Sequence, residues 1–153
     1  MTRESPDGVL LLDKPDGLSS TQALGRSKRL LRARKAGHTG TLDPIASGLL
    51  ILLIGRATRL SRYVMGQDKT YTATARFGAT SDTLDADGEI TALNLPMPIE
   101  DDIRAALPHF TGDLLQTPPM ASALKIGGER LYNLHRRGIT VERESRPVKI
   151  TAF

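Results

Sequence analysis

The sequence predicts an α/β fold, on three observations. "GVLLLDK" at residues 8–14 is a short apolar run stopped by Lys14-Pro15. "SGLLILLIG" at 47–55 is apolar on both faces, the pattern of a central strand covered from two sides. Between them lies a helix signal: Ser19, followed three residues on by Gln22, makes a capping box. Two strands with a helix between them set the class.

The elements follow in chain order. "GVLLLDKP" is a buried strand and "DGLSS" a turn. The capped helix is expected to run to about Lys35, with Ala23, Leu24, Leu30 and Leu31 as a narrow apolar stripe. After the central strand, "RATRLSRYVM" reads as a short amphipathic helix with Ala57, Leu60 and Val64 facing in. "KTYTATARFG" alternates: Tyr71, Ala73, Ala75 and Phe77 on one face, threonines and Arg76 on the other, which predicts a half-exposed strand. "SDTLDADGE" is an acidic turn without the twelve-residue pattern of a calcium loop. "PIEDDIRAALPHF" is a helix whose first-turn acids suit the helix dipole. "PPMASALKIGGERLYNLHRRG" holds a strand, a Gly-Gly turn and a short basic helix, and "PVKITAF" opens another strand.

Composition narrows the function. The chain has 153 residues, 39% hydrophobic and 25% charged, enough for one core. No apolar run reaches the ~20 residues that span a bilayer, and "MTRESPDG" reads as a polar tail without the apolar core of a secretory signal. The absence of Cys excludes disulfides, thiol catalysis and cysteine-based zinc sites. His38, His109 and His135 lie far apart, without metal-ligand spacing. The expected compartment is the cytoplasm, with no cofactor and no metal.

Charge is patterned. Six Lys/Arg and no acid lie between Arg26 and Lys35; eight Asp/Glu and one base lie between Gly78 and Asp113; seven Lys/Arg face three Glu from Lys125 to Lys149. A single basic block is commonly a solvated helix face. Two such blocks, with a net charge of +4, favour a polyanionic partner. Aromatic residues make up only 4%, too few for a single-strand stacking platform.

The densest polar stretch is "GHTGTLDP" at 37–44, directly before the most apolar run. Pro44 biases Asp43 away from helical angles. Asp43 could simply cap "PIASG", or it could be a reactive carboxylate mounted on a loop. Gly37 and Gly40 allow close backbone approach to a ligand, but the loop lacks the spacing and the lysine of a phosphate-binding P-loop. His38 is open to a general-base or a hydrogen-bonding role. The residues alone lead to a basic αβ domain with Asp43 as candidate active-site group.

Four blocks occur in this order: "LLLDKPDGLSS", "AGHTGTLDPIASGLLILLIGRATRLS", "DKTYTATARFGATSDTLDADGE" and "PPMASALKIGGERLYNLHRRG". Together they resemble the TruB family of tRNA pseudouridine synthases, over about Gly8 to Lys149. The resemblance implies a mixed, largely antiparallel sheet flanked by helices. It also implies isomerisation of the T-loop uridine, position 55 in tRNA numbering, after that nucleotide is flipped out of its loop. Asp43 falls on the family's catalytic aspartate, as nucleophile or as stabiliser of the sugar cation. Tyr71 falls on its active-site tyrosine, which packs on the target base. His38 matches a histidine that supports flipped nucleotides, with Gly37, Thr39 and Gly40 of the same loop as further contacts. Lys14-Pro15 matches a motif under the site and is read as structural. Arg32 and Arg34 on the basic helix, with Lys125, Arg136 and Arg137 in an RNA-gripping thumb at about 119–147, are expected on tRNA, largely at phosphates. The implied partner is the T-arm of tRNA, and the implied complete protein a monomer.

One departure stands out. Members of that family are longer, with a later arginine that pairs with the catalytic aspartate and further sheet strands. The chain is therefore expected to be the N-terminal portion of the catalytic domain, inactive alone. Two other classes compete: a non-catalytic RNA-binding module, and a hydrolase using Asp43. The latter needs a second carboxylate or a metal, which only Asp82, Asp85 and Asp87 could offer.

Overall fold

The computed structural model describes residues 5–153, so the first half of the polar start lies outside it. The chain divides into two compact units, one up to Thr72 and one from Ala73 to Phe153.

The first unit is built on a three-stranded sheet. Strands β1 (Gly8–Lys14), β2 (Ala36–His38) and β3 (Gly48–Ile54) pair antiparallel in the order β1-β3-β2. The doubly apolar run is the central strand, as its pattern predicts. Leu10 lies opposite Leu52 and Leu12 opposite Leu50; on the other side Ala36 meets Ile54 and His38 meets Leu52. Helix α1 (Ser20–Leu30) closes one face of this sheet. Ala23, Ala33, Leu50, Leu52 and Ile54 form the core there, with Leu10, Leu12, Leu24, Ala36 and Leu42 packed on it.

The capping box is present: Gln22 N–H donates to Ser19 Oγ at 3.2 Å and Ser19 N–H to Gln22 Oε1 at 2.9 Å. Two features of α1 differ from expectation. Its buried line is Ser20, Ala23 and Ser27, small residues that let the helix sit close, while Leu30 is exposed. It also stops at Leu30 rather than near Lys35. Arg32 adopts φ 51°, its N–H donates to the Arg29 carbonyl, and Ala33 N–H donates to that of Lys28. This is a Schellman ending with arginine where glycine is usual.

Beyond β3 the chain makes a 3-10 turn (Gly55–Leu60) and helix α2 (Ser61–Met65), with Ala57 and Val64 half-buried but Leu60 exposed. The alternating segment 69–77 is not a strand. Residues 68–76 carry no regular structure, and its expected inward face, from Tyr71 to Phe77, is exposed. Alternation marks the faces of a strand but supplies no ladder; among the described residues no strand pairs with this segment.

The second unit holds three antiparallel pairs: β4 (Ala79–Ser81) with β5 (Ile90–Ala92), β6 (Gly112–Gln116) with β9 (Arg146–Ile150), and the short hairpin β7 (Lys125–Ile126) with β8 (Glu129–Arg130). Helix α3 (Glu100–Ala106) continues into a 3-10 turn, Leu107–Phe110, and helix α4 (Leu131–Arg136) follows β8. Gly127 and Gly128 both have positive φ, 60° and 87°, as a two-residue hairpin turn requires. Residues 117–145 form an excursion between the paired strands β6 and β9. Every ladder among the described residues is antiparallel, and α1 packs against β2 and β3, which agrees with the expected fold class.

Candidate active site

Asp43 sits on the loop between β2 and β3, and neighbours on both sides are pinned. Ser20, buried at the start of α1, brackets Leu42: its Oγ accepts from Leu42 N–H at 2.8 Å and donates to the Leu42 carbonyl at 2.9 Å. On the other side, the Pro44 carbonyl accepts from Gly17 N–H at 2.7 Å. Lys14 adds a contact from below. It is wholly buried, and its ammonium donates to the carbonyls of Leu18 at 2.7 Å, Pro15 at 2.9 Å and Pro44 at 3.4 Å. A buried ammonium is tolerated only when its N–H groups are satisfied. Here that requirement knits the turn after β1 to the loop carrying Asp43. A further bond, Ala46 N–H to the Asp43 carbonyl at 3.0 Å, closes a turn at 43–46.

The Asp43 side chain, in contrast, is exposed and makes no hydrogen bond among the described residues. It is a carboxylate on a braced backbone, open to a ligand. His38 ends β2, half-buried, with Nδ1 buried and lacking a hydrogen-bond partner among the described residues. Thr39 is buried, and its N–H extends the ladder to the Ile51 carbonyl at 3.1 Å. A methyl group added at Gly37 or Gly40 would meet open space, and neither has positive φ. Among the described residues nothing crowds either position. Tyr71 is two-thirds exposed and forms no hydrogen bond among the described residues.

The basic candidates are exposed, but they are not equivalent. Arg32 and Arg34 follow α1 in the first unit, and Lys125, Arg136 and Arg137 lie in the excursion of the second. Arg137 Nη2 is held 2.7 Å from Glu129 Oε2, so its charge is already partnered. The acidic turn is internally bonded: Asp85 Oδ1 accepts from Thr83 Oγ1 at 2.6 Å and from Asp87 N–H at 3.0 Å, and Asp82 Oδ1 accepts from Glu89 N–H at 2.8 Å. Asp82 and Asp85 thus serve to shape the β4–β5 connection.

Sequence reasoning missed Ser20 and Gly17. Ser19 carries the recognisable capping signal, and its neighbour Ser20 has no local motif to mark it. The role of Gly17 depends on a carbonyl far along the chain.

A family model described as "TruB family pseudouridylate synthase (N terminal domain)" matches residues 28–153. Proteins named tRNA pseudouridine synthase B are similar along the whole chain. That of Burkholderia mallei (strain NCTC 10247) is 55% identical over 153 residues, covering all of this chain and 51% of the relative. That of Cupriavidus metallidurans is also 55% identical, with 49% of the relative covered. The chain therefore spans about half the length of the curated relatives it matches. Among solved structures, a chain of a Cbf5-Nop10-Gar1 complex matches with a TM-score of 0.55 at 28% identity, covering 93% of this chain and 33% of that one. A chain of an archaeal box H/ACA sRNP Nop10-Cbf5 complex matches with a TM-score of 0.51 at 30% identity, covering 74% and 31%.

Proposed function

We propose, for a chain that belongs to the TruB family of pseudouridylate synthases, that it supplies the catalytic aspartate of an enzyme converting the T-loop uridine of tRNA, position 55, to pseudouridine. The observation that carries this reading is the bracing of Asp43: Leu42 is tied to Ser20 at the start of α1, and Pro44 to Lys14 at the end of β1 and to Gly17 in the turn after it, while the carboxylate between them stays exposed. A reactive group gains from a fixed backbone and an unobstructed side chain.

The reaction conserves atoms. The C1′–N1 bond of the uridine breaks, the uracil turns, and C5 bonds to C1′. The proton on C5 leaves and N1 takes up another. Asp43 acts at the sugar, as nucleophile toward C1′ or as the negative charge facing the developing cation. The uridine lies within a folded loop, so it must be extruded first. His38 and the open backbone at Gly37 and Gly40 are the surface offered to the extruded nucleotides; Thr39, expected among these contacts, is buried between them and extends the sheet ladder instead. Tyr71 is assigned to the face of the target base. Lys14 and Pro15 hold the floor of the loop. Arg32, Arg34, Lys125 and Arg136 contribute phosphate contacts, with residues 119–147 as the thumb on the tRNA. The enzyme would work on tRNA in the cytoplasm.

The test is Asp43→Asn in a polypeptide that joins this chain to the C-terminal half of one of its relatives. Tritium release from tRNA labelled at uridine C5 should fall by about a hundredfold to a thousandfold, the scale seen when a group facing developing charge is lost. tRNA affinity should change less than severalfold. Equal turnover by the variant would end the assignment of Asp43. Binding by a joined wild type that never releases tritium would favour the non-catalytic RNA-binding module.

A further inference from the structure

Helix α4 and its cap end in three consecutive basic residues, His135, Arg136 and Arg137, and two of them already touch acids of this chain. Arg137 Nη2 lies 2.7 Å from Glu129 Oε2, on the strand β8 that leads into the helix. His135 Nε2 lies 3.5 Å from Asp82 Oδ2, which comes from the connection between β4 and β5. Arg136 has no ion-pair partner among the described residues. The Glu129 contact is local. The Asp82 contact joins elements far apart in the chain, and both of its sides are held.

On the acidic side, Asp82 Oδ1 accepts from Glu89 N–H at 2.8 Å, which leaves Oδ2 for His135. The connection is tightly folded around this carboxylate. Ser81 Oγ donates to the Asp85 carbonyl at 2.6 Å, and a side chain at Gly88 would run into Asp82 and Thr83. On the basic side, Leu131 and Leu134 are buried and anchor α4, and His135 is half-buried. An imidazole can carry its hydrogen on Nε2 whether it is neutral or charged, so the contact is open to both forms. Carboxylate and phosphate oxygens accept from the same donors. An acid fixed against these donors therefore competes with a phosphate for them.

We propose that Asp82 and Glu129 are internal substitutes for RNA phosphate: in the free chain they occupy the basic end of α4, and tRNA must displace them to reach His135 and Arg137. The contact is autoinhibitory, and its two acids set how tightly this surface holds RNA. This rests on the reading of the chain as a tRNA-binding synthase segment, and adds to it a restraint supplied by the chain itself.

The test measures affinity for an unmodified tRNA transcript at fixed salt, in the polypeptide that joins this chain to the C-terminal half of a relative. Asp82→Asn and Glu129→Gln keep the shape of each side chain and remove its charge. Each should raise affinity by about two- to fivefold, the scale of an exposed ion pair. Asp87 is exposed in the same connection and makes no ion pair among the described residues. Asp87→Asn removes an equal charge and should change affinity less than about twofold. In a His135→Gln background, the gain from Asp82→Asn should shrink to that of Asp87→Asn, because residues in contact are not additive. Circular dichroism checks folding, and if Asp82→Asn is misfolded, Glu129→Gln against Asp87→Asn decides. Three results would overturn the proposal and leave the RNA reading standing: equal effects of all three single variants, no gain from Asp82→Asn and Glu129→Gln, or an Asp82→Asn gain that persists without His135. A wild type without salt-dependent tRNA binding would remove both.

Discussion

At the scale of single residues, the loop holding Asp43 depends on the hydroxyl of Ser20, bonded to the residue next to Asp43. Ser20 is nearly inaccessible and bonds both polar groups of Leu42. Removing Oγ strands a buried N–H and carbonyl, a loss of roughly 1–3 kcal/mol. Ser20→Ala should therefore lower stability by that amount and raise the amide exchange rate of Leu42 by about tenfold or more. Unchanged protection of Leu42 would show that other contacts hold the loop. Asp7 offers a second residue-scale test. Its carboxylate accepts from the Arg56 backbone N–H at 2.7 Å and from Arg56 Nε at 2.6 Å, and these bonds hold its pKa below the usual aspartate range. A carboxylate with a lowered folded pKa contributes stability above its unfolded pKa, near 3.9, and loses it as pH falls through the lower folded value. Urea midpoints of wild type and Asp7→Asn should therefore differ at neutral pH and converge in acid. A constant gap across that range would mean the carboxylate charge is not what matters. Gly55 fits the same contact: with φ 58°, a side chain there would run into the Asp7 carboxylate and the Pro6 carbonyl.

Among the elements, helices α1 and α4 end in the same motif with different residues at the left-handed position. Helix α4 uses Gly138 at φ 69°, with Ile139 N–H bonded to the Leu134 carbonyl at 3.0 Å. Helix α1 uses Arg32 at φ 51°. An L-residue in that region pays roughly 1–2 kcal/mol, partly offset by the greater freedom of glycine when unfolded. Arg32→Gly should raise stability by up to about 1 kcal/mol in thermal unfolding. If Arg32 contacts RNA, the same change should lower the salt slope of tRNA binding. A more stable variant with unaltered binding would exclude Arg32 from the interface. The elements also show what was legible in the sequence. The capping box, the central strand and the Gly-Gly hairpin are local signals, and all three are present. The left-handed stop at Arg32 was illegible, because nothing in the residue type marks it. So was the lack of pairing at 69–77, since alternation fixes faces and says nothing of partners. At the candidate site, the "GHTGTLDP" loop stood out by composition. Its braces at Ser20, Gly17 and Lys14 belong to another part of the chain and become evident only when the turn after β1 meets it.

For the whole molecule, the decisive feature is the face of the first sheet turned away from α1. Val9, Leu11 and Leu49 lie on it, and all three are more than half exposed. Asp13 shares this face opposite Leu49, yet the apolar residues dominate it. The outer edges of β1 and β2 also have no strand partner among the described residues. Apolar faces and open edges of this kind favour association with another polypeptide. Because the relatives are about twice as long, a covering segment from their remaining half is the natural occupant. The 153-residue chain alone is then expected to be poorly soluble or partly molten, and to bind tRNA weakly without turnover. Supplying the C-terminal half of a relative, in the same polypeptide or as a separate piece, should restore order and activity together. Hydrogen exchange across β1 and β3 would report the first, and tritium release from C5-labelled tRNA the second. Replacing Val9 and Leu11 with Lys should improve the solubility of the chain alone while abolishing complementation by the separate piece. Two outcomes would reject this account: full turnover by the 153-residue chain alone, or complementation that survives those two lysines. Either would mean that the exposed face is not where the rest of the enzyme docks.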